Sequence, residues 1–426
     1  MKKRTQFWVI VAVLLVASTV SWASLTYFGP LDMFYLKHLN HLFAVVGFVF
    51  YFFQFVLSAK IQWIEKGFGL DRMLGLHRTF GRLALGFLTL HFLALLVFEM
   101  VEFSRFYLVL FRWIGLIALI GLFITALVAV QYKKWHIPYE TWKNIHRANY
   151  VIFPFALLHV FYNAVPGSFL YYLWIAFTVA FAAILVHKLV RHIQIRKHPY
   201  RVVQVKQENP EVWSLAFQGP PLEYKPGQFL HIRLLRDGEL SSSHPFTLSS
   251  SPTWENLTIT PKELGDFTRT IKNTKPGDQA FIDAPYGVFS FLNTSGQDLV
   301  FIAGGIGITP FISMLRYMND RKIQKNVTLL WGNKSQKDLL FTEELASIQN
   351  NLENLTLVYV MSRQKDWSGE KGRINGDLIQ KYVPDLDIPD FFVCGPPLMS
   401  KAVITDLKKH GVETNRIHHE LFDFID

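Results

Sequence analysis

The chain has 426 residues, half of them apolar, with a net charge of +10 and a single cysteine, Cys394. That length accommodates two or three domains, and one cysteine excludes an internal disulfide and a thiolate-ligated cluster. A basic balance can mark nucleic-acid binding, but here the Lys and Arg residues stand beside long apolar runs, which points to a membrane instead. Residues 7 to about 190 are dominated by Phe, Leu, Val and Ile, whereas the composition from Pro199 onward is that of an ordinary soluble protein.

Six apolar segments follow one another, at residues 7–28, 38–59, 77–97, 106–131, 146–161 and 169–190. A bilayer crossing takes about 20 residues, and the fifth segment, which is short and carries Pro154, is the weakest by that measure. Lys2, Lys3 and Arg4, then Lys60, Lys66, Arg72, Arg78 and Arg82, then Lys133, Lys134, Lys143 and Arg147, then Lys188, Arg191, Arg196 and Lys197 all flank one side. The other side has little beyond Lys37 and Arg105. The positive-inside rule makes the first side cytoplasmic. The expectation is a multi-pass plasma-membrane protein with both termini, and the soluble half, in the cytoplasm. Ser21, Trp22 and Ala23 after a basic start also fit a cleavable signal. The apolar run continues to Phe28, so a retained first span is the favoured reading.

The soluble half divides in two. Residues 201–206, 212–217, 228–234, 246–250, 257–261 and 279–283 are short alternating stretches between turn signals, which predicts an antiparallel β-barrel. Residues 299–303, 327–331, 355–361 and 391–394 are apolar strands separated by helical stretches, which predicts a parallel α/β sheet. The expected domains are therefore 1–198 in the membrane, 199–295 as the barrel and 296–426 as the α/β domain.

Four histidines stand out in the apolar half. His77 and His91 lie 14 residues apart in the third segment, and His146 and His159 lie 13 apart in the fifth. Fourteen residues of helix rise about 21 Å, so each segment carries one imidazole near each face of the membrane. Both segments run in the same direction, which sets His77 level with His146 and His91 level with His159. An imidazole in a bilayer is costly unless ligated or paired, and two levels of facing histidines suit two stacked bis-histidine haems. Each residue alone reads as an isolated polar group. The spacing also poses a problem: 14 residues return to within about 40° of one helix face, but 13 miss it by about 140°. Pro154 lies between His146 and His159 and offers a kink.

In the barrel, His244, Pro245, Phe246 and Thr247 lead to Ser249, and hydroxyls at Thr247 and Ser249 can bond a flavin edge. Lys262, Gly265 and Thr268 follow, with Gly265 and Thr268 opening a short helix whose amides suit a pyrophosphate. In the α/β domain, Gly304, Gly305 and Gly307 precede Thr309 and Pro310 in a strand–turn–helix arrangement that lets backbone approach a diphosphate. Cys394, Gly395 and Pro396 end a later strand and leave room for a flat ring. Ser362 and Arg363 follow another strand where a ribose would lie, and an arginine there can pair with a 2′-phosphate.

Together these residues resemble the ferric reductase and NADPH oxidase superfamily along nearly the whole chain. The likeness rests on histidine pairs in the third and fifth segments, on residues 244–247, on residues 304–310 and on residues 394–397. It implies a six-helix di-haem bundle joined to a ferredoxin–NADP reductase-like module, in a compact prokaryotic-type member without a calcium-binding regulatory segment. His77 and His146 would ligate the inner haem, and His91 and His159 the outer. Phe424, with Phe422 as second choice, would stack on FAD, and Phe424, Cys394 and Thr247 would surround the point of hydride transfer from NADPH. The acceptor outside is expected to be oxygen, yielding superoxide, with Lys37, His38, His41, Arg105 and Arg112 as candidates to line its approach. A ferric chelate or an extracytoplasmic protein partner is the alternative, because family oxidases often carry a further histidine where this chain has Leu95.

Overall fold

The computed structural model describes residues 2–24, 33–101 and 109–420, and the chain forms two compact units, Met1–His192 and Ile193–Asp426. The first unit is helical: α1 (Lys2–Ser24), α2 (Met33–Ser58), α3 (Gln62–Phe68), α4 (Leu70–Val101), α5 (Val109–Gln131), α6 (Tyr139–Arg147), α7 (Asn149–Asn163) and α8 (Phe169–Lys197). Its core is aromatic. Phe48, Phe52 and Phe55 fall on one stripe of α2 at helical spacing. They meet Phe153 of α7 and Trp174, Phe177 and Phe181 of α8, with ring centres 4.5 Å apart for Phe52 and Phe177 and 4.6 Å for Phe55 and Phe153. Phe50 and Phe53, on the adjoining face, pack on Phe80 of α4.

The outward faces are apolar as well. Ile117, Phe123 and Val130 of α5, Val151 and Leu158 of α7, and Val179 and Val186 of α8 are all more than half exposed. A soluble monomer does not leave an apolar surface of that extent in water, whereas helices whose backbone bonds are internally satisfied are at home in lipid. Among the described residues, four helices have the length and hydropathy to cross a membrane: Leu39–Ser58, Arg72–Val97, Trp113–Gln131 and Phe169–Lys197. The first and fifth of the six expected segments are not among those four in the described residues. For the fifth the reason is local. The helical path breaks at Ala148, so α7 alone has 15 residues, while α6 is short and carries Glu140, Lys143 and Arg147.

In the second unit, β1 (Tyr200–Asn209), β2 (Val212–Gln218), β3 (Phe229–Arg236), β4 (Glu239–Leu240), β5 (His244–Thr247), β6 (Leu257–Ile259) and β7 (Gln279–Tyr286) form one antiparallel sheet. Its order is β4-β3-β7-β1-β2-β6, with β5 on β3. Leu248, just after β5, bridges Ile259 of β6, so the pairing path returns on itself. Alternate residues such as Leu230, Ile232 and Leu234 point into a shared apolar interior with Phe217 and Ile282. A one-turn helix, α9 (Asp266–Arg269), and a 3-10 turn at Ile271–Asn273 lie between β6 and β7.

The remaining strands, β8 (Asp298–Gly304), β9 (Asn326–Asn333), β10 (Leu355–Met361), β11 (Glu370–Lys371), β12 (Asp390–Cys394) and β13 (Ile417–Glu420), make a wholly parallel sheet in the order β11-β10-β9-β8-β12-β13. Helices α10 (Thr309–Arg321) and α11 (Thr342–Asn351) cover one face through Phe311, Leu315 and Leu345, and α12 (Gly376–Tyr382) and α13 (Pro397–Lys409) cover the other through Ile379, Val403 and Leu407. Burial on both faces explains why these strands read as continuous apolar runs. Strand order reverses between β8 and β12, and the crevice at the carboxyl ends of such a pair is where open α/β sheets bind ligands.

Candidate functional site

The helical unit brings the four histidines together in the expected pairs. The rings of His77 on α4 and His146 on α6 have centres 5.8 Å apart with planes at 71°, and those of His91 on α4 and His159 on α7 are 6.5 Å apart at 63°. One metal bound to two imidazoles at about 2 Å each would set the ring centres about 6 Å apart, so both separations fit a metal between the rings. The Nδ1 atoms of His77 and His146 are buried and make no hydrogen bond among the described residues. Among the described residues no group of three or more His, Cys, Asp or Glu side chains gathers that could hold a metal ion.

Residues that the sequence did not single out hold these rings. His91 Nδ1 bonds the Asn40 carbonyl at 3.2 Å and Asn40 Oδ1 at 2.5 Å, which fixes the ring and leaves Nε2 for a ligand. Trp142 stacks on His146 at 5.9 Å. Gly115 of α5 lies so close to His159 that a Cβ there would be 2.6 Å from its Nδ1. None of the three carries a sequence signal, because each acts on a histidine through the fold.

In the antiparallel module, Thr247 pairs with Phe229 of β3, and its buried Oγ1 has no partner among the described residues. Ser249 differs from the expectation, since its hydroxyl is spent on the Thr258 carbonyl at 3.2 Å and on Thr260 Oγ1 at 2.9 Å. His244 stacks flat on Phe267 at 3.9 Å, which ties the strand of Pro245 and Phe246 to α9. Gly265 caps α9 as expected, but Thr268 Oγ1 already accepts from the amides of Leu264 and Gly265, so those two are not available to a pyrophosphate. Lys262 is ion-paired with Glu211 at 3.1 Å. Burial pushes the Tyr224 phenol up, and it bonds the Ser250 carbonyl at 3.0 Å.

At the reversal of the parallel sheet, the two glycine-bearing turns lie against each other. A Cβ on Gly307 would stand 2.3 Å from the Cys394 carbonyl, and one on Gly395 would be 3.0 Å from Gly304 Cα, so neither position accepts a side chain. Gly305 adopts a left-handed φ of 52°, and Trp331 Nε1 donates to its carbonyl at 2.9 Å. Thr309 and Pro310 then open α10. Ser362 is held by the Asn333 carbonyl through its Oγ at 3.0 Å, and Arg363 beside it is exposed. Asn333 is a further residue the sequence reading missed: it is buried at the end of β9, with neither side-chain atom bonded among the described residues. Arg316 of α10 joins the two modules by donating to the Ser249 carbonyl at 2.6 Å while paired with Glu344. Phe422 and Phe424 lie outside the described residues, as do Arg105 and the side chains of Lys37, His38 and Arg112.

Three family models match in order along the chain: a ferric reductase like transmembrane component over residues 43–157, an FAD-binding domain over 187–290 and an oxidoreductase NAD-binding domain over 301–405. The chain belongs to the ferric reductase-like membrane oxidoreductases. The transmembrane match takes in His77, His91 and His146 and stops two residues before His159. Behind the transmembrane component the chain therefore carries an FAD-binding domain and an oxidoreductase NAD-binding domain, and it spans about 64% of the length of the first curated relatives it matches.

Its curated relatives include the glycine betaine monooxygenase reductase subunit of Pseudomonas aeruginosa, 30% identical over 236 residues, a match spanning 53% of this chain and 64% of that one. The sulfhydrogenase 2 subunit gamma of Pyrococcus furiosus is 30% identical over 244 residues, or 53% of this chain and 83% of that one. Among solved structures, the flavohaem-like FAD/NAD-binding domain of nitric oxide dioxygenase from Vibrio cholerae aligns with a TM-score of 0.48 at 22% identity, over 52% of this chain and 97% of that one.

Proposed function

We propose that this chain is a transmembrane NADPH oxidase, moving electrons from cytoplasmic NADPH through FAD and two bis-histidine haems to oxygen outside, giving superoxide. The reading is carried by the pairing of His77 with His146 at 5.8 Å and of His91 with His159 at 6.5 Å within a ferric reductase-like domain. It takes residues 1–198 as a six-span di-haem domain with both termini cytoplasmic, 199–295 as an FAD-binding barrel and 296–426 as the NADPH domain.

When bound, FAD accepts a hydride and returns its electrons singly, and each haem carries one of them. The chain's own residues then bind and orient. His77 and His146 would hold one haem and His91 and His159 the other, each pair supplying two imidazoles to one iron for electron transfer. Thr247 Oγ1 would donate to the flavin edge, Phe424 or Phe422 would stack on the flavin, and Cys394 would leave room for the nicotinamide ring. Gly304, Gly305 and Gly307 admit the diphosphate, and Arg363 pairs with a 2′-phosphate.

A second reading, a surface reductase of ferric chelates or of an extracytoplasmic protein, is favoured by Leu95. It stands one turn beyond His91, where family oxidases often carry a further histidine. The deciding experiment is NADPH oxidation by the purified, haem- and FAD-loaded protein in air, with cytochrome c as reporter and with or without superoxide dismutase. Cytochrome c reduction that dismutase abolishes and nitrogen prevents is the result expected. Reduction that persists anaerobically and ignores dismutase overturns the oxidase and leaves the reductase.

A further inference from the structure

The fifth-segment histidines are separated by 13 residues, which one regular helix would leave on faces about 140° apart, yet both meet partners on α4. They are not on one helix. α6 ends at Arg147 and α7 starts at Asn149. At the junction, Ala148 N donates to the Ile145 carbonyl at 3.0 Å and Val151 N to the Ala148 carbonyl at 2.9 Å. Such three-residue bonds wind the chain by about 120° per residue instead of about 100°, which recovers part of the missing rotation.

The side chain at the junction is bonded from three directions. Asn149 Nδ2 donates to the His146 carbonyl at 2.9 Å and to Thr125 Oγ1 of α5 at 3.0 Å. Its Oδ1 accepts from the Tyr51 hydroxyl of α2 at 2.9 Å. Thr125 passes its own proton to the Leu122 carbonyl at 3.0 Å. Tyr51, Thr125 and Asn149 are all buried. A buried amide left unbonded is costly, so an amide satisfied on both its atoms by separate helices has one orientation. In that orientation it grips the peptide carbonyl of the residue that carries the inner imidazole.

We propose that Asn149 is a positioning residue for the inner haem: it pins the helix break through the His146 carbonyl and so sets the plane of the His146 ring against that of His77. The inference rests on the di-haem reading above. The angle between the two imidazole planes would govern the g-anisotropy of a low-spin ferric haem held by them, and the rings stand at 71° in the inner pair and 63° in the outer.

The test is electron paramagnetic resonance and redox titration of the full-length, haem-loaded protein, with the inner signal identified as the one lost in His77→Leu. Asn149→Ala is expected to shift the g-anisotropy and midpoint potential of the inner signal and to leave the outer signal in place. Thr125→Val, which loosens Asn149 without removing it, is expected to shift the same signal by less. Unchanged signals in Asn149→Ala overturn the proposal. Where that variant does not fold, an unchanged inner signal in Thr125→Val does so. A parent protein without two low-spin signals overturns the di-haem reading itself, and is thereby told apart from a failed lock.

Discussion

At the scale of single residues, Thr247 and Asn40 make opposite kinds of prediction. The Thr247 hydroxyl is buried without a partner among the described residues, and such a group costs about 1–3 kcal/mol when left unsatisfied. Thr247→Val should therefore leave the melting temperature of the flavin-stripped protein unchanged or higher. It should also weaken FAD binding by about 5- to 150-fold. Titration of FAD into stripped protein checks this, and equal affinity in the two proteins would remove Thr247 from the flavin edge. Asn40, in contrast, accepts from His91 Nδ1, which orients the ring and would strengthen its donation to a bound metal, favouring the metal's ferric state. Asn40→Leu should raise the midpoint potential of the outer haem and weaken its retention by about 10- to 100-fold, while the inner potential holds. Thr247 was legible in the sequence because it sits in a contiguous stretch with His244. Asn40 was not, since it lies 51 residues from the ring it holds, and Asn333 stayed hidden because only folding shows that its amide lacks a partner.

At the scale of elements, the packing of α5 against α7 is set by what glycine leaves out. A Cβ at Gly115 would lie 2.6 Å from His159 Nδ1, closer than side-chain atoms can approach, so the ring or the helix must move. Gly115→Ala should displace the outer haem, seen as a loss or shift of the outer low-spin signal, while the pair of His77 and His146 keeps its spectrum. An unaltered outer signal would mean that His159 is not held where the structure has it. The parallel strands were readable because burial on both faces makes them uniformly apolar, and their glycine turns follow at once. The fifth segment was readable only as apolar. Pro154 is the visible irregularity, but the break lies at Ala148, where bonds from Tyr51 and Thr125 to Asn149 outweigh local helix propensity. Short charged elements such as α6 were missed because they break the apolar runs without forming a long periodic pattern of their own.

At the scale of the whole molecule, hydropathy divides the chain near the point where its two compact units meet, with Pro199 as the sequence boundary and His192 as the structural one. Topology is the property that charge alone assigns, and it decides whether nicotinamide and acceptor stand on opposite sides of the membrane. Lys134, exposed after α5, belongs to the basic side, and Val165, 66% exposed after α7, belongs to the other. Cys394 is fully buried, so the parent protein gives little background to a thiol reagent. Lys134→Cys should react with a membrane-impermeant maleimide only in inverted vesicles, and Val165→Cys only in intact cells. This pattern is required by an odd number of crossings between the two positions, α7 being the helix between them together with α6. Labelling of both from the same side would mean that the broken fifth segment does not cross, which would break the match of its two histidines to the two levels on α4 and end the case for transmembrane electron transfer.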